Sequence, residues 1–399
     1  VRSDITTLTI GRLAANSAYR FAAPFLATIA RGLDVSIADL GVALAVTELA
    51  GLASPMVGRL VDRLPRRRSM SLGLVGVAAG AVVAGIAGDR VMFAAGIVLL
   101  AISKTFYDVG LGAWVADHVP YERRGRVVGL TETSWALGLL VGVSILGLVV
   151  LVAGWRRAYV VAAVAALAMS SLVAARLRAD TTVSEQPPHR AQPGRITDID
   201  GAGWASVAGA LGLMGGAQCL FLTFGPWLED RHGFGAAGLS TVVFGLGAGE
   251  LVASSLSAAR TDRWGKERSV AAGAMVMVPA GIVMALGSDQ PAVGLAALVV
   301  FVVGFEFAIV SMISLGSALI PSAPAKGIGT MIAAGTFGRA LLSIPATWSY
   351  ERHGVAPPAV MGAVLATFTI ASIRTRHHLL GRSGLSSSTA STTTPGRMP

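Results

Sequence analysis

The sequence predicts an all-α membrane protein with twelve transmembrane helices in two pseudo-symmetric six-helix bundles. Three observations carry the prediction: a series of apolar runs of spanning length, a one-sided distribution of lysine and arginine, and an internal repeat. Of the 399 residues, 53% are hydrophobic and 14% are charged, whereas a soluble domain carries about 25% charged residues.

A spanning helix needs about 20 mostly apolar residues. The first six such runs are 8–31, 39–58, 69–88, 91–116, 126–151 and 155–176. The second six are 201–225, 237–258, 269–287, 291–318, 327–350 and 355–374. Further runs follow the first one, so it is read as a span and not as a removable signal peptide. The longest interior link, 177–200, contains Pro187, Pro188, His189 and Pro193 and separates six spans from six. The expected organisation is therefore an N-terminal bundle over 1–176, a linker over 177–200 and a C-terminal bundle over 201–374. The remainder, 375–399, ends in "GLSSSTASTTTPGRMP" and reads as a disordered tail.

Basic residues orient the spans, because cytoplasmic loops carry the excess of lysine and arginine. With the N-terminus inside, the outer links hold only Arg31, Arg90, Arg156, Arg157, Arg231 and Arg352 of the 32 basic residues. Arg12, Arg20, Lys104 and Arg339 fall within spans, and all the others lie inside. Both termini and the linker are expected in the cytoplasm, in a plasma (inner) membrane. The net charge of +10 could suggest a nucleic-acid partner. The basic residues instead flank apolar runs, the pattern of a topology signal, so no nucleic acid is expected.

The stretch "GRLVDRLPRRRSM" at 58–70 recurs 200 residues later as "AARTDRWGKERSV" at 258–270. Asp62, Arg63, Arg68 and Ser69 align with Asp262, Arg263, Arg268 and Ser269. "VPYERRGRVVGL" at 119–130 repeats more loosely as "IPSAPAKGIGTM" at 320–331. Weak symmetry between two membrane halves is a signature of secondary transporters, which place their site at the repeat interface.

Charges near a helix centre cost about 2.5–3.5 kcal/mol on insertion scales, so each is a functional candidate. At about 1.5 Å rise per residue, Arg20, Glu48, Glu250, Glu306 and Arg339 fall near mid-membrane. Lys104, Asp108 and Glu132 lie in the inner half, and Arg12 lies nearer the inner surface. Lys104 and Asp108, four apart, share a helix face and are expected to pair, either to help the span insert or to tune Asp108 for a proton. Arg20 needs an acidic partner, for which Asp108 or Glu132 is available. Glu306 and Arg339 could pair with each other. Glu48 and Glu250 occupy the same place in each half, as proton carriers or as a polar contact between halves. At least one of Asp108, Glu132, Glu48, Glu250 and Glu306 is expected to be proton-coupled. Trp135, Trp204, Trp227 and Trp348 read as interfacial anchors. Tyr19, Phe106, Tyr107, Phe221, Phe224, Phe305 and Phe307 are aromatic residues available to line a cavity.

Several chemistries are not expected. No G-x-x-x-x-G-K-[ST] loop is present, so ATP does not drive transport directly. Six scattered histidines and one cysteine, Cys219, offer no metal site and no internal disulfide. No soluble segment carries a nucleophile elbow. The chain reads as no enzyme and as needing no cofactor.

These residues resemble the major facilitator superfamily, most of all its twelve-span drug:proton antiporter branch. The family's first-half motif, G-x-x-x-D-R-x-G-R-R, is matched by Gly58, Asp62, Arg63, Arg66 and Arg67, with Pro65 in place of the second glycine. The second-half copy carries Asp262, Arg263 and Arg268 and restores that glycine as Gly265. The resemblance implies that these residues latch the inner gate. A second family motif, G-x(8)-G-x(3)-G-P-x(2)-G-G in span five, marks exporters. Gly129, Gly138, Gly142 and Gly147 match it, while Val143 and Leu146 depart from it. Generic helix packing through small residues accounts for the same glycines. Lys104 stands where the drug exporters carry an arginine linked to proton transfer, and Tyr107-Asp108 replaces the Gln-Gly that follows.

The resulting expectation is a secondary active transporter working by alternating access, exporting a small amphipathic molecule or drug against protons. Proton-linked uptake of a small nutrient is the alternative within transport. A non-transporting membrane sensor on the same fold is the alternative outside it. The expected partners are a small-molecule substrate, protons and the lipid bilayer, and the protein is expected to work as a monomer.

Overall fold

A computed structural model describes residues 2–61, 63–177, 195–320 and 322–390. The described residues form helices and turns and no strand. In the first half, α1 (Arg2–Arg20) and α2 (Leu26–Leu33) make span one, and α3 (Ile37–Ala50) and α4 (Ser54–Val61) make span two. Spans three and four are α5 (Arg66–Gly85) and α6 (Arg90–His118). Span five is α7 (Tyr121–Leu137), a π-helical stretch Gly138–Val143 and α8 (Ser144–Ala153); span six is α9 (Trp155–Arg176). The second half runs α10 (Gly201–Pro226), extended by a π-helical Trp227–Arg231, then α11 (Ala236–Trp264) and α12 (Lys266–Gly287). It ends with α13 (Pro291–Gly316), α14 (Pro324–His353) and α15 (Ala356–Ala390).

Among the described residues, ten helices are long and apolar enough to cross a membrane. Spans one and two are the other two, and each comes as a broken helix. The break in span one falls at residues 21–25, where Pro24 lacks a backbone N–H for the helical ladder. A 3-10 turn, Gly51–Ala53, interrupts span two. Broken spans are tolerated at membrane depth only where their backbone is buried in protein. Phe21, Ala22 and Phe25 around the first break are accordingly buried.

The halves share one packing scheme. In the first, α5 packs on α6 and α9, and in the second, α12 packs on α13 and α15. Span one lies against span five, and α10 lies against α14 in the same way. The halves meet chiefly along two seams, α3 against α14 and α8 against α11, with α2 also touching α10. Apolar side chains such as Val91, Val152 and Leu286 stay exposed on the outside of the bundle, as a lipid-covered surface allows.

Residues 178–194, with Pro187, Pro188, His189 and Pro193, lie outside the described residues. The linker's far end is a turn at Ile196–Asp198, and Asp200 caps α10 by accepting from the Gly203 N–H at 2.6 Å. α15 runs on past 375 to Ala390. The buried guanidinium of Arg376 donates to Glu267 at 2.7 Å and to Ser206 at 3.1 Å. Residues 391–399 lie outside the described residues.

Candidate functional site

The charged residues at mid-depth converge between the halves. Span one ends α1 with Tyr19 and Arg20 just before its break, which directs them inward. From α3 come Thr47 and Glu48, from α7 Trp135, from α10 Gln218 and Phe221, from α11 Glu250, and from α14 Arg339. All of these line one cavity of about 70 Å³.

Two ion pairs cross this cavity from one half to the other. Arg20 grips Glu250 bidentately, at 2.6 and 2.7 Å, and also donates to the Trp135 carbonyl at 3.0 Å. Its guanidinium stacks 4.5 Å above the Trp135 ring. The Arg20 and Glu250 side chains are only 9% and 1% exposed, so water screens the pair little. Arg339 donates to Glu48 at 2.6 Å, and the Tyr19 hydroxyl donates to the same oxygen at 3.0 Å. The four charges cancel, leaving the cavity wall formally neutral.

These pairings correct two expectations. Arg20 takes neither Asp108 nor Glu132 as partner, and Glu306 and Arg339 do not pair with each other. The cause is the closeness of the two halves: each arginine reaches an acid across the interface before any acid on its own side. Trp135 also departs from its expected place at the membrane interface, because α7 points it into the cavity. Phe221 and Phe224 line the cavity with it, whereas Tyr107 is fully buried and donates to the Leu8 carbonyl.

A second cluster lies toward the basic face. Lys104 and Asp108 meet at 2.5 Å. Arg12 joins them, at 3.0 Å from Asp108 and 2.7 Å from Glu132, and so ties α1 to α6 and α7. Lys104 also sits 5.5 Å from the Tyr19 ring centre and 5.7 Å from that of Trp135. Glu306 stands apart from every such pair. It is buried, accepts from the Ser254 hydroxyl at 2.6 Å, and has no basic side chain within ion-pair distance among the described residues.

The gate motif is placed only in part. Asp62 lies outside the described residues, and the side chain of Asp262 does too. Arg66 pairs with Asp117 at 2.8 Å, and Arg67 donates to the carbonyls of Ala174 and Leu177. Gly58 has open space where a side chain would stand, and Arg63, Arg263 and Arg268 are exposed. Sequence reasoning missed Asp117, whose link to Arg66 spans 51 positions.

The span-five glycines sit where helices touch. A Cβ on Gly142 would collide with the Ser17 hydroxyl, and one on Gly147 would collide with Ser240 across the seam. Gly138 faces Asn16 similarly, while Gly129 has open space around it. The π-helical turn at Gly138–Val143 is thus pressed against α1.

The face opposite the basic one carries contacts between the halves that the sequence did not disclose. Arg31 of α2 pairs with Glu229 and, at 3.0 Å, with Asp230 of the second half. Thr28 donates to Glu229 at 2.7 Å, and the Ile37 N–H donates to Glu351 at 2.6 Å. Gln218 was missed as well, although a lone amide in an apolar run was a legible signal. It donates to Ser343 at 3.1 Å, and its carbonyl oxygen is buried with no hydrogen-bond partner among the described residues.

The family model of the Major Facilitator Superfamily matches residues 8–347. The chain belongs to this superfamily. An uncharacterized transporter of the same superfamily from Bacillus subtilis is 29% identical over 150 residues, which are 37% of this chain and 36% of that protein. A chloramphenicol efflux pump of Mycobacterium tuberculosis is 28% identical over 250 residues, 60% of this chain and 58% of the pump. A chloramphenicol resistance protein of Streptomyces lividans is 28% identical over 332 residues, 80% of each. The chain thus spans about a third and under three fifths of the first two relatives.

Solved structures of the superfamily share its fold. A bacterial homologue of the human lysosomal transporter Spinster, captured inward-facing and unoccupied, superposes with a TM-score of 0.74 at 14% identity, over 94% of this chain and 98% of that one. The human organic anion transporter MFSD10 superposes with a TM-score of 0.68 at 18% identity, over 93% and 99%. This chain is a multi-pass membrane protein of that superfamily.

Proposed function

We propose that the protein exports a small amphipathic molecule by alternating access, driven by protons entering the cell, with its basic face in the cytoplasm. The observation that carries this reading is the pair of ion bridges across the central cavity. A cavity of about 70 Å³ is far below the roughly 300–1,000 Å³ of a site for a drug-sized ligand. Substrate therefore enters only when the halves part, and parting them breaks Arg20–Glu250, Glu48–Arg339 or both. The outer seal at Arg31 and Glu351 fits a state closed to the outside.

Glu306 is the proton carrier in this reading. Asp108, Glu132, Glu48 and Glu250 each hold a basic partner, and Glu306 holds a hydroxyl. A buried acid without a counter-ion is the group for which gaining or losing a proton changes the local charge most. Export is supported by the span-five glycines and by the relatives named as efflux pumps. Those relatives make chloramphenicol the first compound to try.

The test uses inverted membrane vesicles with an acidified lumen. Chloramphenicol added outside is expected to accumulate in the lumen and to accelerate proton release. Uptake coupled to protons would instead load substrate with the protons and reverse the sign. Flux indifferent to the proton gradient would refute the coupling.

A further inference from the structure

A groove on the basic face of the second half lies outside the central site. Its volume is about 550 Å³, and its lining includes Trp264, Lys266, Arg268, Leu315, Ile373 and Arg374. Leu315 and Ile373 are buried apolar side chains, and Arg268 and Arg374 are exposed. Trp264, 46% exposed, ends α11 at the same level, the depth at which tryptophan marks a membrane interface.

Positions 66 and 266 are both basic, but Arg66 is neutralised by Asp117, and the position 200 residues later is Ser317. Lys266 turns instead to the Ser314 carbonyl at 3.3 Å, which leaves its charge uncompensated. Glu267 does not compensate it either, because Arg376 and His377 occupy that carboxylate at 2.7 and 3.3 Å. Arg268 and Arg374 make no ion pair among the described residues, and position 174, the counterpart of Arg374, is alanine. The second half thus gathers three cations with no ion pair among the described residues around a groove with an apolar floor.

We propose that this groove binds an anionic phospholipid, with the headgroup phosphate against Lys266, Arg268 and Arg374 and an acyl chain against Trp264 and the half-buried Ala271, over Leu315 and Ile373. Charge complementarity selects an anion, and the apolar floor at interface depth selects a lipid over a free ion. The site is independent of the direction of transport and of the substrate.

Native mass spectrometry of the full chain in detergent tests this, with phosphatidylglycerol and phosphatidylcholine of the same acyl chains as probes. The wild type is expected to retain phosphatidylglycerol in preference. Arg268→Gln with Arg374→Gln is expected to weaken it roughly 30-fold, about fivefold for each arginine. Arg68→Gln, the equivalent change in the first half, is expected to leave it unchanged. If the double variant fails to fold, Arg374→Gln alone reads the fivefold step. Equal retention of the two lipids, an unaffected Arg374→Gln, or an equal loss in Arg68→Gln would each overturn the site. Complete displacement of the lipid by millimolar inorganic phosphate would also overturn it, as a phosphate site without a lipid.

Discussion

Glu250→Gln isolates the strongest contact between the halves. In the wild type, Arg20 makes two hydrogen bonds to the Glu250 carboxylate, at 2.6 and 2.7 Å, with both side chains nearly excluded from water. The amide keeps one acceptor and no charge, so the guanidinium stays buried without a counter-ion. Removing one member of a buried pair costs about 3–5 kcal/mol. The Trp135 carbonyl and ring remain in contact with Arg20, so the lower end, about 3 kcal/mol, is the working figure. The cost falls on the sealed state alone, because an opened cavity hydrates Arg20. At about 1.4 kcal/mol per tenfold, the opened population rises roughly 100-fold, which takes a conformer present at about 1% to about half. Spin labels on cysteines placed at Arg157 and Gln290, both exposed residues on the face opposite the basic one, report this as a second, longer distance in double electron–electron resonance. Cys219 is buried and stays unlabelled. A distance distribution identical to the wild type, in a folded Glu250→Gln protein, would show that the bridge does not hold the halves together. Replacing both partners, Arg20→Met with Glu250→Met, is expected to restore closure and not transport, since an apolar pair closes without a buried charge.

Three further outcomes are expected. Glu306→Gln should abolish proton-driven transport while leaving substrate counterflow in vesicles without a gradient; wild-type coupling in this variant would move the proton elsewhere. Gly142→Leu should lose function, because its side chain meets Ser17 where α1 presses on the π-helical turn, with overpacking costing about 1–3 kcal/mol or more. Gly129→Leu, which has open space, serves as its control in the same expression and transport assays. Asp62→Asn should insert normally and transport poorly, and normal transport would leave 58–70 as a topology signal alone.

The linear code was informative wherever a property is set by residues adjacent in the chain. Run length and apolarity settle the spans, because lipid leaves the backbone only itself to hydrogen-bond with. The 200-residue repeat carries the two-half plan for a similar reason: each half packs its own spans in the same scheme. The acids and bases at mid-depth were legible one by one, since each is costly in an apolar helix. Lys104 and Asp108 could even be paired, being one helical turn apart.

Pairing across the halves was not legible. Arg20 and Glu250 are 230 positions apart, and Glu48 and Arg339 are 291 apart; no helical period relates them. Asp108 and Glu132 were plausible partners for Arg20 until Arg12 claimed both. The outer seal, the neutral balance of the cavity and the lone position of Glu306 follow from the same cause. A charge in a low-dielectric interior is satisfied by whatever group is nearest in space, and that neighbour is chosen by how twelve helices pack against one another.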